Sequence, residues 1–341
     1  MTVRSVRRSG LTMPIVTPRF VDNAWRRGCD FIVLDLEDSV PQHLKAHART
    51  LVKDAIPNVS KGGAEAFVRI NHDTMEEDVE AVVWPGLKRI KYPKTEHAHE
   101  VRRLDELITR YEKERGIAPG TVEIDASIET ALGVANVYEI ASASPRIREF
   151  GATTGGYDLS RDLGIEMFVD FDQFEYPRGE SELAARALGL RVRSAPFIAN
   201  TTGSVSDGNR ALRVAEAARK CGIRLGGGGL NPAVVESHNV GFVPTQEEID
   251  DARHVLESYA TLEARGEAWA ESEGRVIDRY EAERARELID WAAACDARNR
   301  EKAEAVSRHS RAGGNPDANP HPREGGNPAT SDSTGSPPAR G

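Results

Sequence analysis

The sequence has few cysteines, no long apolar run and no excess of positive charge, and each shortage excludes a class of protein. The three cysteines, Cys29, Cys221 and Cys295, lie far apart without CxxC spacing, which argues against a disulfide framework and a thiolate metal site. No run approaches the roughly 18 apolar residues of a membrane span, and the basic start lacks the apolar core of a signal peptide. The net charge of −9 gives no reason to expect nucleic acid or an anionic membrane as partner. We therefore expect a soluble, cytoplasmic protein.

Short apolar runs alternate with stretches of helical spacing along the first 240 residues. Phe31–Leu36 (FIVLDL) is almost continuously apolar, as in a strand buried on both faces of a parallel sheet, and Leu44–Ile56 after it has helical spacing. Eight such runs predict strands: Leu11–Val16, Phe31–Leu36, Ala66–Ile70, Arg89–Tyr92, Val122–Ile128, Ile147–Ala152, Arg191–Phe197 and Gly222–Leu225. Eight strand–helix units favour an α/β fold of the (β/α)8 TIM barrel type over a doubly wound sheet.

Composition divides the chain into three regions. Residues 1–240 are predicted to form the barrel, and residues 241–300 a helical extension with helices over Thr245–Glu263 and Val276–Ala294. Residues 307–341 are rich in Gly, Pro and Asn, and HSRAGGNPDANP at 309–320 is echoed by HPREGGNP at 321–328. Such a tail buries too little apolar surface to offset its ordering entropy, so we expect it to be disordered.

Two acidic side chains follow the fifth and sixth predicted strands. Glu129 lies in SIETALG and Asp158 in GATTGGYDLSRDLG. In a barrel the carboxyl ends of the strands build the active site, and two carboxylates on separate elements can bind Mg²⁺ while leaving positions for water and substrate. Each acid also has a structural alternative, Glu129 as an acid at a helix N-terminus and Asp158 as an N-cap. Together they predict a Mg²⁺ site, with Mn²⁺ as an alternative ion.

Further polar residues follow the second, third and fourth predicted strands. Glu37 and Asp38 come after the second strand, Arg69 ends the third, and Lys94 follows the fourth. A guanidinium at the end of an apolar strand must be paired or solvated. Arg69 is therefore expected to bind a substrate carboxylate or an enolate oxygen, to pair with Glu37 or Asp38, or to do both.

These motifs together resemble the HpcH/HpaI aldolase and citrate lyase β-subunit superfamily, particularly its citrate lyase β-like and malyl-CoA lyase-like branch. The resemblance covers roughly residues 8 to 295 and rests on RRSGLTMP, FIVLDLEDSVP, FVRIN, YPKTE, SIETALGV, FGATTGGYDLSRDLG and GRVIDRYEAERA. It implies a Mg²⁺-dependent lyase, trimeric or hexameric. The reaction would cleave or form the carbon–carbon bond of a 3-hydroxyacyl-CoA such as malyl-CoA or citramalyl-CoA.

The resemblance also implies roles for the acids and for Arg69. Glu129 and Asp158 match metal ligands, and Arg69 matches the arginine that holds the oxo-acid or enolate. Glu37 and Asp38 match an acidic pair near the metal-bound waters.

Three residues outside this group also have implied roles. Asp278 in GRVID matches a catalytic aspartate that is offered to the active site of a neighbouring subunit; its alternative role is to cap the helix that follows. Apart from the resemblance, Arg8 and Lys94 are expected to contact the substrate, and Arg7, Arg8 and Lys94 are candidates to meet coenzyme A phosphates; the alternative is that these basic side chains are simply solvated at the surface.

One segment departs from the family pattern and keeps other functions open. GGGGLNP at 226–232 stands where related sequences often have a segment like GKLCIHP, so the usual Lys and His are missing. The glycines predict a flexible joint or, alternatively, a phosphate-binding loop. The alternatives to an acyl-CoA lyase are a class II pyruvate aldolase that does not use coenzyme A and a non-catalytic accessory subunit. Synthesis instead of cleavage, or hydrolysis of the thioester, would also fit the family.

Overall fold

The computed structural model describes residues 5–151, 157–166, 172–193, 207–229, 231–272 and 274–312. The strands are β1 Gly10–Pro14, β2 Phe31–Asp35, β3 Glu65–Arg69, β4 Leu87–Tyr92, β5 Glu123–Ala126, β6 Glu149–Phe150, β7 Arg191–Val192, β8 Gly228–Gly229, β9 Trp269–Ser272 and β10 Arg275–Asp278. The helices are α1 Pro18–Val21, α2 Lys45–Val59, α3 Met75–Val82, α4 Ala98–Glu114, α5 Ala131–Ala135, α6 Val137–Ala141, α7 Tyr157–Leu163, α8 Glu175–Ala187, α9 Gly208–Lys220, α10 Ala233–Gly241, α11 Gln246–Arg265 and α12 Arg279–Ala312. Short 3₁₀ turns lie at Ala24–Arg27, Gln42–Leu44 and Ser60–Gly62.

The strands β1 to β8 form a closed parallel barrel. One sheet has the order β5-β4-β3-β2-β1-β8, so the last strand pairs with the first, and β6 pairs with β7. The Ile124 amide donates to the Arg146 carbonyl at 3.1 Å between β5 and the segment before β6, and an isolated bridge joins Arg193 to Leu225 between β7 and β8. These links confirm the predicted TIM barrel.

The strand β2 is buried on both faces, which explains the nearly continuous apolar run in its sequence. All five of its residues are buried. Ile32 and Leu34 belong to the main core together with residues of α2 and α4, whereas Phe31 and Val33 form a separate cluster with Phe67 of β3. One face of the strand therefore packs against the helices and the other faces the barrel interior.

Charged side chains fill the amino-terminal end of the barrel. Arg7 Nη1 donates to Glu123 at 2.7 Å and to Glu149 at 2.9 Å, and Arg89 pairs with the same two acids. Both guanidiniums lie over the ring of Phe67. All of these side chains are buried, so this end of the barrel is closed.

The prediction for the eighth strand is wrong. Residues 222–225 contribute only the bridge at Leu225, and β8 is Gly228–Gly229. A glycine is needed at 226, where a Cβ would lie 1.6 Å from the carbonyl oxygen of Arg8, and at 229 a Cβ would lie 2.8 Å from the side chain of Val234. Gly228 and Gly229 therefore belong to the barrel wall and not to a joint.

The first five predicted strands are confirmed to within a few residues, and the predicted helix Leu44–Ile56 corresponds to α2. Residues 194–197 of the predicted seventh strand and Ala152 of the sixth lie outside the described residues.

The C-terminal region contains a hairpin that the sequence reading missed. The strands β9 and β10 pair antiparallel, and Gly274 lies between them with a φ of +75°. The predicted helix from Val276 is therefore wrong at its start, since Arg275–Asp278 is a strand and α12 begins at Arg279. A small core joins α11, β10 and α12: Ala252, Val255, Tyr259, Leu262, Ile277, Ala282 and Ala285.

The end of α12 is fixed to the amino-terminal end of the barrel. Lys302 Nζ donates to the Gly28 carbonyl at 2.8 Å and to Asp30 at 2.6 Å, and Arg298 donates to the Asp30 and Gly63 carbonyls at 2.9 and 2.7 Å. The helix continues to Ala312, past the predicted start of the tail at 307. Residues 313–341 lie outside the described residues. No helix within the described ranges is long and apolar enough to cross a membrane.

Candidate active site

Asp35 and Arg69 end two neighbouring strands and pair in register. Arg69 donates from Nε to Asp35 Oδ1 at 2.6 Å and from Nη2 to Oδ2 at 2.8 Å. Asp35 is fully buried and also accepts from the Glu37 amide and from Ser39. Burial alone would raise the pKa of Asp35, but Arg69 and these donors hold it below its usual value. Asp35 is thus an ionised side chain that orients Arg69, and the sequence reading missed it because it lies within the apolar run FIVLDL.

The remaining edge of Arg69 faces the acidic pair after β2. Arg69 Nη1 lies 2.8 Å from Glu37 Oε2 and 3.8 Å from Asp38 Oδ2, so the predicted ion pair with Glu37 is present. The 2.8 Å contact is not aligned as a hydrogen bond, and Glu37 Oε2 is a buried oxygen without a hydrogen-bond partner in the described part of the chain. The side chain of Asp38 is 58% exposed.

Lys94 contacts three of the acids at once. Its backbone amide donates to Glu129 Oε2 at 3.3 Å, its Nζ donates to Glu37 Oε1 at 2.8 Å, and Nζ lies 3.9 Å from Asp158 Oδ1. Among the described non-glycine residues, Lys94 is the one with a φ in the left-handed region, at +49°. Strained backbone of this kind persists only where the surrounding structure enforces it. The structure therefore brings together the predicted residues that follow four different strands.

Glu129 and Asp158 lie next to helix starts. Glu129 directly precedes Thr130, the N-cap of α5, which accepts from the Gly133 amide at 3.1 Å, so Glu129 is also an acid at a helix N-terminus, as its structural alternative expects. Asp158 lies in the first turn of α7, inside the helix and not at its N-cap. Burial is the largest cause of a raised pKa at Glu129, and Glu37 and Asp158 add to it against the opposing effect of Lys91.

The donor set fits a hydrated divalent cation. Within the described ranges, no group of three His, Cys, Asp or Glu side chains is close enough to hold a metal by itself. Mg²⁺, however, usually takes only one or two protein carboxylates and keeps several waters or substrate oxygens. Glu37, Glu129 and Asp158 lie around Lys94. These three carboxylates are thus the side chains that would hold or surround a divalent cation.

A cleft of about 370 Å³ opens beside these residues. Its lining includes Glu37, Asp38, Lys45, His72, Lys94 and Thr130. His72 stacks on Tyr92 at 5.0 Å and its Nε2 lies 2.9 Å from Glu100. Lys45 and His72 were not predicted, although His72 follows the FVRIN motif directly and could have been found from that position.

Asp278 lies at the end of β10, opposite Trp269 of the hairpin. Its Oδ1 accepts a hydrogen bond from the Glu281 amide at 2.9 Å, so the predicted capping of α12 is present. Trp269 and Tyr280 beside it are 62% and 67% exposed. Asp278 is thus held at a fixed position on an exposed aromatic surface.

The structure corrects the expectation for Arg7, which lies in the buried network at the amino-terminal end of the barrel, and the expectation for Arg8. Its side chain is fully buried and donates to Asp30 at 2.9 and 3.0 Å and to Asn299 at 2.8 Å. Arg8 precedes β1 and therefore lies at the amino-terminal end of the barrel, whereas the acids lie at the carboxyl-terminal rim. Arg8 joins α12 to the barrel and does not contact a substrate at the rim.

Comparisons with known proteins identify the family of the chain. Residues 8–220 match the model of the HpcH/HpaI aldolase/citrate lyase family. The citrate lyase subunit β of Leuconostoc mesenteroides subsp. cremoris is 33% identical over 295 residues, which cover 86% of this chain and 95% of that protein. The L-malyl-CoA/β-methylmalyl-CoA lyase of Cereibacter sphaeroides is 28% identical over 294 residues, 80% of this chain and 90% of that one.

A solved structure with the same fold is that of the protein CitE from Mycobacterium tuberculosis, in complex with magnesium, acetoacetate and coenzyme A. It superposes with a TM-score of 0.63 at 22% identity and covers 85% of this chain and 99% of that chain. The likeness confirms the barrel fold.

Proposed function

We propose that this chain, which belongs to the HpcH/HpaI aldolase/citrate lyase family, is a Mg²⁺-dependent lyase that cleaves or forms the carbon–carbon bond of a 3-hydroxyacyl-CoA such as malyl-CoA or citramalyl-CoA. The observation that carries the proposal is the convergence at Lys94, which contacts Glu37, Glu129 and Asp158 beside Arg69. Three carboxylates grouped around one lysine at the mouth of a barrel, with a raised pKa at Glu129, are typical of a functional site.

Glu129 and Asp158 are the proposed metal ligands, and Glu37 and Asp38 would orient the metal-bound waters. When bound, Mg²⁺ lowers the pKa of the substrate 3-hydroxyl and stabilises negative charge on that oxygen; Mn²⁺ is the alternative ion. Lys94, with a side chain that is 35% exposed, is the proposed contact to the substrate at the rim.

Arg69 is the proposed group that stabilises the enolate or oxo-acid oxygen. Asp35 fixes two of its nitrogens, so the guanidinium is oriented before the substrate arrives. Burial would lower the pKa of Arg69, but Asp35, Glu37 and Asp38 raise it, so the group keeps its charge. Donors held in place in this way stabilise developing charge without reorganising during the reaction.

Asp278 is the proposed proton carrier, exchanging a proton with the α-carbon of the acyl-CoA product. We propose that it acts in a neighbouring subunit of a homotrimer or homohexamer, and the exposed Trp269 and Tyr280 around it support a surface that packs against another chain. In this proposal residues 1–240 form the catalytic barrel and residues 241–300 bring Asp278 to the partner. Residues 307–341 have no part in catalysis.

The test is a screen of acyl-CoA thioesters with Mg²⁺, with products identified by mass spectrometry. Glu129→Ala and Asp158→Ala are expected to abolish turnover and to weaken Mg²⁺ binding in calorimetry, whereas the exposed Glu139→Ala leaves both unchanged. Metal-dependent turnover in both site variants would refute the proposal. Turnover of free oxo-acids with aldehydes alone would indicate a class II pyruvate aldolase, and no affinity for Mg²⁺ or Mn²⁺ would indicate an accessory subunit.

A further inference from the structure

The two proposed metal ligands lie on separate elements of the rim. Glu129 precedes α5, whereas Asp158 lies in the first turn of α7. Both are close to Lys94, whose amide donates to Glu129 at 3.3 Å and whose Nζ lies 3.9 Å from Asp158. Two ligands on separate elements can converge on one ion only where those elements keep a fixed position relative to each other. The contacts between α5 and α7 therefore bear on the geometry of the metal site.

A hydrogen bond joins the start of α5 to α7. The Ala131 amide donates to Asp162 Oδ2 at 2.7 Å. Ala131 is the first residue of α5, and the first amides of a helix have no acceptor within the helix itself. Thr130 accepts from one of these amides, that of Gly133, and Asp162 accepts from another. A side chain of α7 thus contacts the backbone of α5 two residues after Glu129.

Asp158 and Asp162 share one face of α7. They are four residues apart, which is about 6 Å and little more than one turn, so their side chains lie on the same side of the helix. Leu159, on another side of α7, belongs to the main core. A rotation of α7 that turned Asp158 away from Glu129 would also pull Asp162 away from the Ala131 amide. The hydrogen bond of Asp162 therefore opposes that rotation.

The helix α5 is itself fixed to the loop after β4. Asn136 Nδ2, at the end of α5, donates to the Glu96 carbonyl at 2.9 Å. A Cβ on Gly133 would lie 2.5 Å from the carbonyl oxygen of Thr95, so the backbone of α5 packs directly against this loop. Asp162 therefore joins α7 to a helix that already has a fixed place at the rim.

We propose that Asp162 is a positioning residue of the metal site: by accepting from the Ala131 amide, it keeps Asp158 within reach of the ion that Glu129 binds. The inference rests on the proposed function, in which Glu129 and Asp158 are the metal ligands. Residues that orient metal ligands typically change metal affinity by about 10- to 100-fold when they are removed. A helix cap with no further role would change the stability of the protein and not its affinity for Mg²⁺.

The experiment is a double-mutant cycle measured by calorimetric titration of the full chain with Mg²⁺. Asp162→Ala removes the acceptor, and Ala131→Pro removes the donor. Proline suits the first position of a helix, and Thr130 before it has the extended backbone that proline requires, with φ −132° and ψ 158°. Each variant is expected to weaken Mg²⁺ binding about tenfold or more, and the double variant no further, because both changes break the same hydrogen bond.

Two further variants separate the hydrogen bond from charge and from stability. Asp162→Asn keeps an oxygen that can accept from the Ala131 amide, so its Mg²⁺ affinity should stay within about threefold of wild type. The control Thr245→Ala removes the N-cap of α11, outside the barrel, and should lower the melting temperature without changing Mg²⁺ affinity. In the metal-free protein, hydrogen exchange of the Ala131 amide should be faster in Asp162→Ala than in wild type. Thermal unfolding of each variant confirms that the barrel is folded.

Three results would overturn the inference: wild-type Mg²⁺ affinity in Asp162→Ala, additive losses in the double variant, or an equal loss of affinity in Thr245→Ala. Thioester cleavage by a protein whose Mg²⁺ affinity does not depend on Asp162 would refute this inference alone. Mg²⁺ affinity that depends on Asp162, without cleavage of any thioester, would refute the proposed lyase and keep the positioning role. No Mg²⁺ affinity in the wild type would refute both.

Discussion

Asp35 and Arg69 face each other across neighbouring strands and are joined by two hydrogen bonds, of 2.6 Å from Nε and 2.8 Å from Nη2. The planar guanidinium can hold Asp35 with one edge and still present Nη1 towards Glu37 and the rim. A lysine ammonium has no such second edge. The geometry therefore requires an arginine and not merely a positive charge.

Arg69→Lys is expected to lower kcat/KM by about 100-fold or more, because one ammonium cannot pair with Asp35 and hold a substrate oxygen in a fixed position. Steady-state kinetics with the thioester identified in the screen measure the loss. Arg103→Lys, at an exposed pair with Glu76, is the control and should change little. Activity of Arg69→Lys within about threefold of wild type would contradict the role given to the guanidinium.

Lys94→Gly is expected to be more stable than Lys94→Ala by about 0.5 to 1 kcal/mol, because glycine adopts the left-handed conformation at φ +49° without steric cost. Both variants lose the ammonium, so their difference isolates the backbone. Thermal unfolding of the two proteins measures it. Equal melting temperatures would show that the backbone at Lys94 is unstrained.

Asp278→Asn and Glu129→Ala are each expected to be inactive alone and to regain activity when the two chains are co-expressed. In mixed oligomers about a quarter of the sites would combine an intact barrel with Asp278 from the other chain. Asparagine is also a good N-cap, so α12 should keep its start. The measurement is the specific activity of the purified mixture, and an inactive mixture of confirmed hetero-oligomers would refute the shared site.

Glu123→Gln is expected to make stability less sensitive to acid. Burial would raise the pKa of Glu123, but Arg89 and Arg7 lower it from 4.5 to about 2. Because the pKa of Glu123 is lower in the folded than in the unfolded chain, its ionised carboxylate stabilises the fold at pH values above the unfolded pKa of 4.5. This contribution is lost as the pH falls from 4.5 to about 2.

In urea unfolding across that pH range, the free energy of unfolding of this variant should therefore fall less than that of wild type. At pH 7 the variant should be less stable than wild type by a few kcal/mol. Glu139→Gln, an exposed acid on α6, is the control. If the stability of Glu123→Gln fell with pH as steeply as that of wild type, the acid sensitivity would come from other carboxylates.

Lys302→Met is expected to destabilise the protein by about 3 kcal/mol, since it removes an ammonium that contacts buried Asp30 and the Gly28 carbonyl. Arg300→Met changes an exposed side chain on the same helix and should have little effect. Denaturant unfolding of both variants gives the comparison. If Lys302→Met were as stable as Arg300→Met, the contacts of Lys302 with Asp30 and Gly28 would not contribute to the stability of the protein.

Strands with a strong local signal were predictable, and those formed by close backbone approach were not. FIVLDL and FVRI are apolar, β-branched runs, and the strands form there. Gly228–Gly229 has no such signal, because glycine has no side chain to give a strand pattern, and the crowding at Gly226 by Arg8 and at Gly229 by Val234 depends on residues distant in sequence or on the folded chain. The hairpin was missed for another reason: Val276 and Ile277 precede a true helix, and their spacing continues its pattern.

The candidate site was predictable where residues follow strands. Glu129, Asp158, Arg69, Glu37 and Lys94 were placed at the rim by the alternation of strands and helices, and the structure brings them together. Asp35 and Lys91 lie inside strands. Their side-chain direction depends on register between strands distant in sequence, which one sequence does not reveal.

The helix α12 has 34 residues, so at 1.5 Å per residue it is about 51 Å long. Lys302 fixes this helix to the barrel, and Asp278 stands at its beginning. Near Asp278 the helix is also held by the small core of α11, β10 and α12. Deleting one residue between the two supports would shift one relative to the other by about 1.5 Å and rotate it by about 100° around the helix axis. A deletion in α12 would therefore set the contact of Lys302 with Asp30 against the position of the hairpin that carries Asp278.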